Sequence, residues 1–130
     1  MELVFDCTEV EGVVISQPFE RQVKVLLDRS TQDVVKDISI TMGVVAPRSR
    51  NDLHSHKGTE ILYITTGYGK AVVGDREYAI KANHLIIAPP GVMHQQINQS
   101  DETMRMFAIW TPYESGEDVL KRALEAAAKK

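Results

Sequence analysis

The chain has 130 residues, of which 43 % are hydrophobic and 25 % are charged. This composition is that of an ordinary globular protein, and the length predicts one domain over residues 1–130 because two separate cores would need more chain. The formal net charge is −3 and the basic residues form no stripe, so we do not expect a nucleic acid as partner. No apolar run approaches the roughly 20 residues of a membrane helix, so we do not expect a membrane as partner either.

The N-terminal segment carries no feature typical of a targeting signal. Met1–Asp6 is acidic, whereas a secretory signal begins with basic residues. Cys7 is the single cysteine, which excludes an internal disulfide and favours a reducing compartment. We therefore expect a cytoplasmic protein. Val10–Ile15 has the character of a spare strand, which predicts either an edge contact in a homodimer or a strand that covers its own barrel.

From about residue 21 to residue 112 the sequence predicts short β-strands separated by Gly, Pro and Asp. Apolar residues at every second position predict half-buried strands over Arg21–Leu27 and Ile38–Val45. Gly74-Asp75 is typical of a two-residue hairpin turn. The other predicted strands are Glu60–Thr66, Lys70–Val73, Arg76–Ile80, Leu85–Ala88, His94–Asn98 and Thr103–Trp110. Many short strands with regular turn signals favour a barrel or a sandwich.

The C-terminal segment shows a helical pattern, which predicts a helix over residues 116–128. Ser115 with Asp118 three residues later forms a capping box. Lys129 and Lys130 stand where a helix favours cations. The predicted apolar face consists of Val119, Leu120, Ala123, Leu124 and Ala127. We expect this helix to lie as a lid on the barrel or across a subunit contact.

Three of the four histidines fall in two clusters with metal-binding chemistry. On a strand, His54 and His56 would point to the same face, and Glu60 has the same parity. Imidazole suits Zn, Cu, Fe and Ni. The turn Pro89-Pro90-Gly91 predicts that His94 enters the next strand, where it would complete the set if that strand lies beside the first cluster. His84 has no such partner, and we expect it to be exposed to solvent.

The two clusters resemble the two motifs of the cupin superfamily. The first motif is His54-x-His56-x3-Glu60-x6-Gly67, and the second is Pro89-x-Gly91-x2-His94-x3-Asn98. This resemblance covers about residues 38–112 and implies an all-β fold, a double-stranded β-helix or jelly-roll barrel, here with a C-terminal α-helix. It also implies one divalent transition metal per chain (Fe, Mn, Ni, Zn or Co), and the ligands would be His54, His56, Glu60 and His94.

Two positions depart from the family pattern. Arg48 and Asn83 stand where the family usually has glycine, six residues before the first histidine and six residues before the proline. Both positions lie in predicted turns, and Asn is tolerated where φ is positive. The departures therefore bear on turn geometry and leave the ligand positions filled.

The resemblance implies several activities, because cupins include dioxygenases, isomerases, lyases and proteins that only bind a ligand. We expect a metal-dependent enzyme that acts on a small oxygenated organic molecule, its substrate, in a dioxygenase-type reaction. Gln96 shares parity with His94 and is the candidate catalytic residue, orienting the substrate by a hydrogen bond. The alternatives are a metal-dependent isomerase or lyase of a sugar or acid pathway, and a non-catalytic module that binds a metal or a small ligand.

Overall fold

The computed structural model describes residues 2–128. Met1 lies outside the described residues, as do Lys129 and Lys130, which were expected at the helix end. Within the described range a short 3-10 helix (Cys7–Glu9) is followed by β1 (Gly12–Ile15), β2 (Arg21–Leu27), β3 (Ser39–Val45), β4 (Thr59–Thr66), β5 (Tyr68–Val73), β6 (Arg76–Lys81), β7 (Leu85–Ala88), β8 (His94–Asn98), β9 (Met104–Thr111) and α1 (Gly116–Ala128). No helix among them is long and apolar enough to cross a membrane.

The strands form two antiparallel sheets that enclose the core. One sheet has the order β1-β2-β3-β9-β4-β7, and the other has the order β6-β5-β8. The predicted all-β jelly-roll barrel with a C-terminal helix is confirmed. Alternating side chains of both sheets point inward, and the buried side chains include Met42, Leu62, Ile64, Met104 and Met106.

The predicted strands match the observed ones to within two residues. β7 and β8 have the predicted bounds, and Gly74-Asp75 forms the turn between β5 and β6. β5 begins two residues earlier than predicted because Gly67 alone, with φ of 88°, provides the break after β4. Residues 46–58 are mainly loop, so His54 and His56 do not lie on a regular strand as expected.

The N-terminal strand covers its own barrel. β1 pairs with β2, with Ile15 opposite Arg21. Its outer edge has no strand partner within residues 2–128, and Val14 on this strand is largely exposed. The homodimer expected from the sequence stays a prediction.

Two turns keep a left-handed backbone without glycine. Arg48 has φ of 64° and Asn83 has φ of 73°, at the two positions where the family usually has glycine. Asn83 Oδ1 accepts a hydrogen bond from Tyr63 at 2.6 Å, and the exposed Arg48 donates to Asp101 at 2.7 Å. The turn geometry is therefore retained at both positions.

Helix α1 lies over one end of the barrel, against β1, β2 and β3. One of the two bonds of its predicted capping box is observed, since the backbone N–H of Asp118 donates to Ser115 Oγ at 3.1 Å. The predicted apolar face is partly wrong, because Leu124 is exposed. The residues that face the barrel have the spacing i, i+3, i+4 and i+7, and they are Val119, Arg122, Ala123 and Ala126. Arg122 can lie on this face because a long cationic side chain packs its stem against apolar surface.

Asp28 anchors the first turn of α1, and this anchor should make stability depend on pH. Its carboxylate accepts hydrogen bonds from Gly116 N at 2.9 Å and from Ser30 N at 2.9 Å. Burial alone would raise the pKa of Asp28, but these bonds together with that of the Ser30 hydroxyl hold it below its ordinary value of 3.8. A lowered folded-state pKa gives stability that is complete above the unfolded value and is lost as the pH falls through the folded one.

We therefore expect wild type to exceed Asp28→Asn in free energy of unfolding by a constant margin above about pH 5, where the carboxyl is ionised in both states. The margin should shrink as the pH falls below 3.8. Urea unfolding of both proteins between pH 6 and pH 2.5 measures it. Parallel stability curves over this range would contradict the assignment.

Candidate metal centre

Four side chains from separate stretches of the chain converge on one point inside the barrel. One ligand atom from each of His54, His56, Glu60 and His94 lies within 4.8 Å of the others. Glu60 is the second residue of β4, where it is paired with both β7 and β9. His54 and His94 form an isolated antiparallel bridge, with N–O distances of 3.1 and 2.8 Å. These pairings bring the two sequence clusters together, as the resemblance to the two cupin motifs implied.

The turn before His94 also holds His56. The N–H of Val92 donates to Pro89 O at 3.2 Å, and Gly91 takes φ of 74°. The N–H of Gly91 donates to the carbonyl of His56 at 2.9 Å. The loop that carries His56 is therefore tied to the turn from which His94 enters β8.

Backbone carbonyls set the orientation of all three imidazoles. The Nδ1 atoms of His54, His56 and His94 lie 2.6, 3.1 and 2.9 Å from the carbonyl oxygens of Asp52, Gly58 and Val92. A carbonyl oxygen only accepts hydrogen bonds, so each Nδ1 carries the proton. In the neutral rings the Nε2 atoms then keep their lone pairs. Partners of this kind orient the ligand histidines of metal sites.

Glu60 faces two of these nitrogens. Its Oε1 lies 3.4 Å from Nε2 of His56 and 3.1 Å from Nε2 of His94. Its side chain is 8 % exposed. A carboxylate oxygen and a neutral Nε2 are both acceptors, so their close approach in a buried site requires a cation between them. Either a proton or a metal ion satisfies this requirement, and imidazole with carboxylate is a donor set that binds divalent transition metals.

The pKa shifts within the cluster also favour a positive charge between the carboxylate and the imidazoles. Burial lowers the pKa of His54, which keeps that ring neutral and able to bind a metal. Burial opposes ionisation of Glu60, yet the hydrogen bonds with His56 and His94 hold its pKa below the ordinary value. For His94, burial is outweighed by the hydrogen bond to Glu60, which raises its pKa. Both shifts favour positive charge between Glu60 and His94.

A cavity of about 110 Å³ lies next to the cluster and under helix α1. His54 and Glu60 line it on the cluster side, and Val119 and Ala123 line it on the helix side. The apolar side chains of its wall include Val23, Val45, Leu62, Met106, Ala108 and Trp110. The cavity is thus mostly apolar, with the candidate ligands at one side.

Gln96 lies in this cavity wall, on the same strand as His94. Its side chain is 1 % exposed, and its Oε1 accepts a hydrogen bond from Asn51 Nδ2 at 2.8 Å. Its Nε2 is buried and has no hydrogen-bond partner among residues 2–128. Nε2 of Gln96 can therefore donate a hydrogen bond to a ligand, as the predicted role of this residue requires.

Three other polar residues lie outside the cluster. Tyr63 has the opposite parity to Glu60 in β4, and it is 39 % exposed. Asn98 closes the turn after β8, since its Nδ2 donates to the carbonyl of Glu102 at 2.8 Å. The expectation for His84 is wrong, because this residue is half-buried and its Nδ1 accepts the N–H of Lys81 at 3.2 Å.

Two residues of the site were missed by the sequence analysis. Trp110 was predicted only as the last residue of a strand, but its ring lies 4.8 Å from that of His56 and its Nε1 donates to Thr41 Oγ1 at 2.9 Å. Arg122 was assigned no role, although it lies three residues after Val119 among alanines at helical spacing. A cation on an otherwise small apolar face is the signal that could have identified it.

A jelly-roll barrel with three histidines and a glutamate converging beside an internal cavity is the architecture of a cupin. The family model described as a cupin domain matches residues 41–110, and the chain belongs to this family. The matched range contains all four residues of the cluster.

Solved structures support the same fold. A predicted oxalate decarboxylase from Thermotoga maritima is 22 % identical with a TM-score of 0.74, and the match covers 85 % of this chain and 99 % of that one. A polyketide cyclase from Streptomyces resistomycificus is 21 % identical with a TM-score of 0.72, over 85 % and 80 % of the two chains. A cupin-2 domain from Rhodospirillum rubrum is 20 % identical with a TM-score of 0.71, over 98 % and 91 %. No curated protein sequence matches this chain.

Proposed function

We propose that this cupin is a metal-dependent enzyme that acts on a small oxygenated organic molecule. The observation that carries the proposal is the convergence of His54, His56, Glu60 and His94 within 4.8 Å beside a cavity. The atoms that would bind a metal are hydrogen-bond acceptors, and they face one another. The set therefore suits a divalent cation. When bound, a transition metal would polarise a coordinated substrate oxygen, and a redox-active one such as iron would also supply electrons to O2.

The chain's own residues have separate tasks in this proposal. The three carbonyl-bound Nδ1 protons keep the Nε2 lone pairs available, and Glu60 lowers the charge of the bound cation. Gln96 donates its Nε2–H to the substrate, which fixes the orientation of the reacting group. Apolar side chains of the cavity wall, such as Leu62 and Met106, exclude water from this pocket.

We favour a dioxygenase-type reaction because two histidines with one carboxylate are the ligand set of non-haem iron oxygenases, and this cluster contains such a set together with a third histidine. A second candidate is a metal-dependent lyase or isomerase. It is supported by the similar structures, which include a predicted oxalate decarboxylase and a polyketide cyclase. A non-catalytic module that binds a small ligand is the third candidate.

Elemental analysis of the purified protein, followed by turnover assays, tests the proposal. The metal-free chain is loaded separately with Fe, Mn, Ni, Zn or Co and incubated with small diketones, hydroxy acids and thiols while O2 is monitored. A dioxygenase consumes O2 in the Fe form with substrate present, whereas a lyase or isomerase turns substrate over with Zn or Ni and without O2.

The matched control is Glu60→Gln, which keeps an oxygen at the site but removes its charge. We expect this variant to bind metal more weakly and to lose turnover in proportion to its metal content. Reversible ligand binding without turnover in every metal form would favour the binding module. A wild-type chain that takes up no divalent metal would refute the proposal.

A further inference from the structure

The guanidinium of Arg122 lies over the cavity with one of its two ends unused. Nη1 donates to Glu114 Oε1, and the group lies 5.1 Å from the ring centre of Trp110. Nη2 is buried and has no hydrogen-bond partner among residues 2–128. An unpaired donor of a charged group is expensive to bury. A ligand that accepts a hydrogen bond from Nη2 would remove this cost.

The same cavity contains a second unpaired donor, which comes from a different element. Gln96 Nε2 comes from β8, whereas Arg122 comes from helix α1, and both side chains line the cavity. Oε1 of Gln96 already accepts a hydrogen bond from Asn51 at 2.8 Å, and Nε2 of the same amide can only donate. Two donors and no free acceptor on these side chains select a ligand with acceptor oxygens.

The other guanidinium in the wall does not compete for this role. Arg21 donates to Asp52 Oδ2 at 2.5 Å and to the carbonyl of Phe19 at 3.0 Å. Both members of the Arg21–Asp52 pair are buried, so the charge of Arg21 is balanced inside the protein. Arg122 is therefore the cation of this wall that has a donor to spare for a ligand.

The size of the cavity limits the ligand. Its volume is about 110 Å³, somewhat less than the roughly 150 Å³ of an engineered protein cavity that holds benzene. Apart from these donors and a few polar residues such as His54 and Glu60, the side chains that line the cavity are largely apolar. A short carbon skeleton with an anionic oxygen group at one end matches this distribution of polar and apolar surface.

We propose that the cavity binds a short-chain carboxylate, that Arg122 Nη2 and Gln96 Nε2 donate hydrogen bonds to it, and that helix α1 is therefore a specificity-determining lid. This inference deepens the proposed function, since it names the substrate class of the same site. It places recognition of the anion on a residue outside the two histidine motifs. Hydrogen bonds from a charged donor to a carboxylate are among the stronger ones in proteins.

Calorimetric binding of pyruvate and of its neutral isostere pyruvamide to the zinc-loaded chain tests the inference. We expect pyruvate to bind at least about tenfold more tightly than pyruvamide in the wild type. Arg122→Met should weaken pyruvate binding by about tenfold to a hundredfold and leave pyruvamide binding nearly unchanged. Lys121→Met, which removes the neighbouring exposed charge, should bind both probes as the wild type does.

Several results would overturn the inference. Equal affinities for the two probes in the wild type, or unchanged pyruvate binding in Arg122→Met, would each do so. Thermal melting and zinc content of every variant are measured in parallel. If Arg122→Met does not fold, Arg122→Lys keeps the charge but loses the planar fork, and its pyruvate affinity should still fall. If the wild type takes up no zinc, the proposed function fails, and the probe comparison on the metal-free chain still tests the carboxylate site.

Discussion

We expect His94→Ala to lose most of its bound metal while the barrel remains folded. His94 is fully buried, and its Nε2 lies 3.1 Å from Glu60 Oε1. Removing the imidazole deletes one of the four donors and leaves Glu60 Oε1 with the more distant Nε2 of His56, at 3.4 Å. Loss of partners that only orient metal ligands typically costs 10–100-fold in affinity, so loss of a ligand should cost more than about 100-fold. Metal content after dialysis and calorimetric titration with zinc measure the effect.

The chain offers a matched control for this variant. His84→Ala also removes an imidazole, but His84 lies in a turn outside the cluster, and its Nδ1 contacts the N–H of Lys81. It should retain the wild-type metal content. Circular dichroism of both variants separates loss of the ligand from loss of the fold. Full metal retention in folded His94→Ala would show that the metal is held elsewhere.

The cluster of three histidines and a glutamate could be anticipated because its evidence is local in the sequence. The histidine and glutamate spacings, and the Pro-Pro-Gly turn before His94, each lie within a few residues. The parity argument for His54 and His56 reached the right pair for a partly wrong reason. They lie in a loop, and the bridge between His54 and His94, not a regular strand, aligns the first cluster with the second.

Which side chains of helix α1 line the cavity could not be anticipated in the same way. Whether Arg122 faces the barrel or solvent depends on the rotation of α1, which is set by contacts with distant strands and by the bond from Gly116 N to Asp28. The sequence pattern placed Leu124 inward because it considered only hydrophobicity. The cavity is instead lined by smaller helix side chains such as Ala123 and Ala126. Trp110 was likewise visible as a strand residue, but its contact with His56 arises only when β9 pairs with β4.

Gly69→Ala should be the most destabilising small substitution near the site. Gly69 lies in β5 opposite Asn98 of β8, and a Cβ at this position would lie 1.9 Å from the carbonyl oxygen of Ile97. The obstacle is backbone, so the two strands must separate and the hydrogen bonds between them must lengthen. Because β8 carries His94 and Gln96, the displacement reaches the candidate metal centre. We expect the free energy of unfolding to fall by about 3 kcal/mol, with weaker zinc binding.

Gly74→Ala separates this steric effect from the general cost of replacing glycine. Gly74 has φ of 64°, and its nearest neighbour to an added Cβ is Val92 Cγ1 at an ordinary 3.6 Å. The cost there is the left-handed backbone alone, about 1–2 kcal/mol, and zinc affinity should stay at the wild-type value. Urea unfolding and zinc titration of both variants make the comparison. Equal losses of stability, with zinc affinity unchanged in both, would mean that β8 is not held in place through its contact with β5 at Gly69.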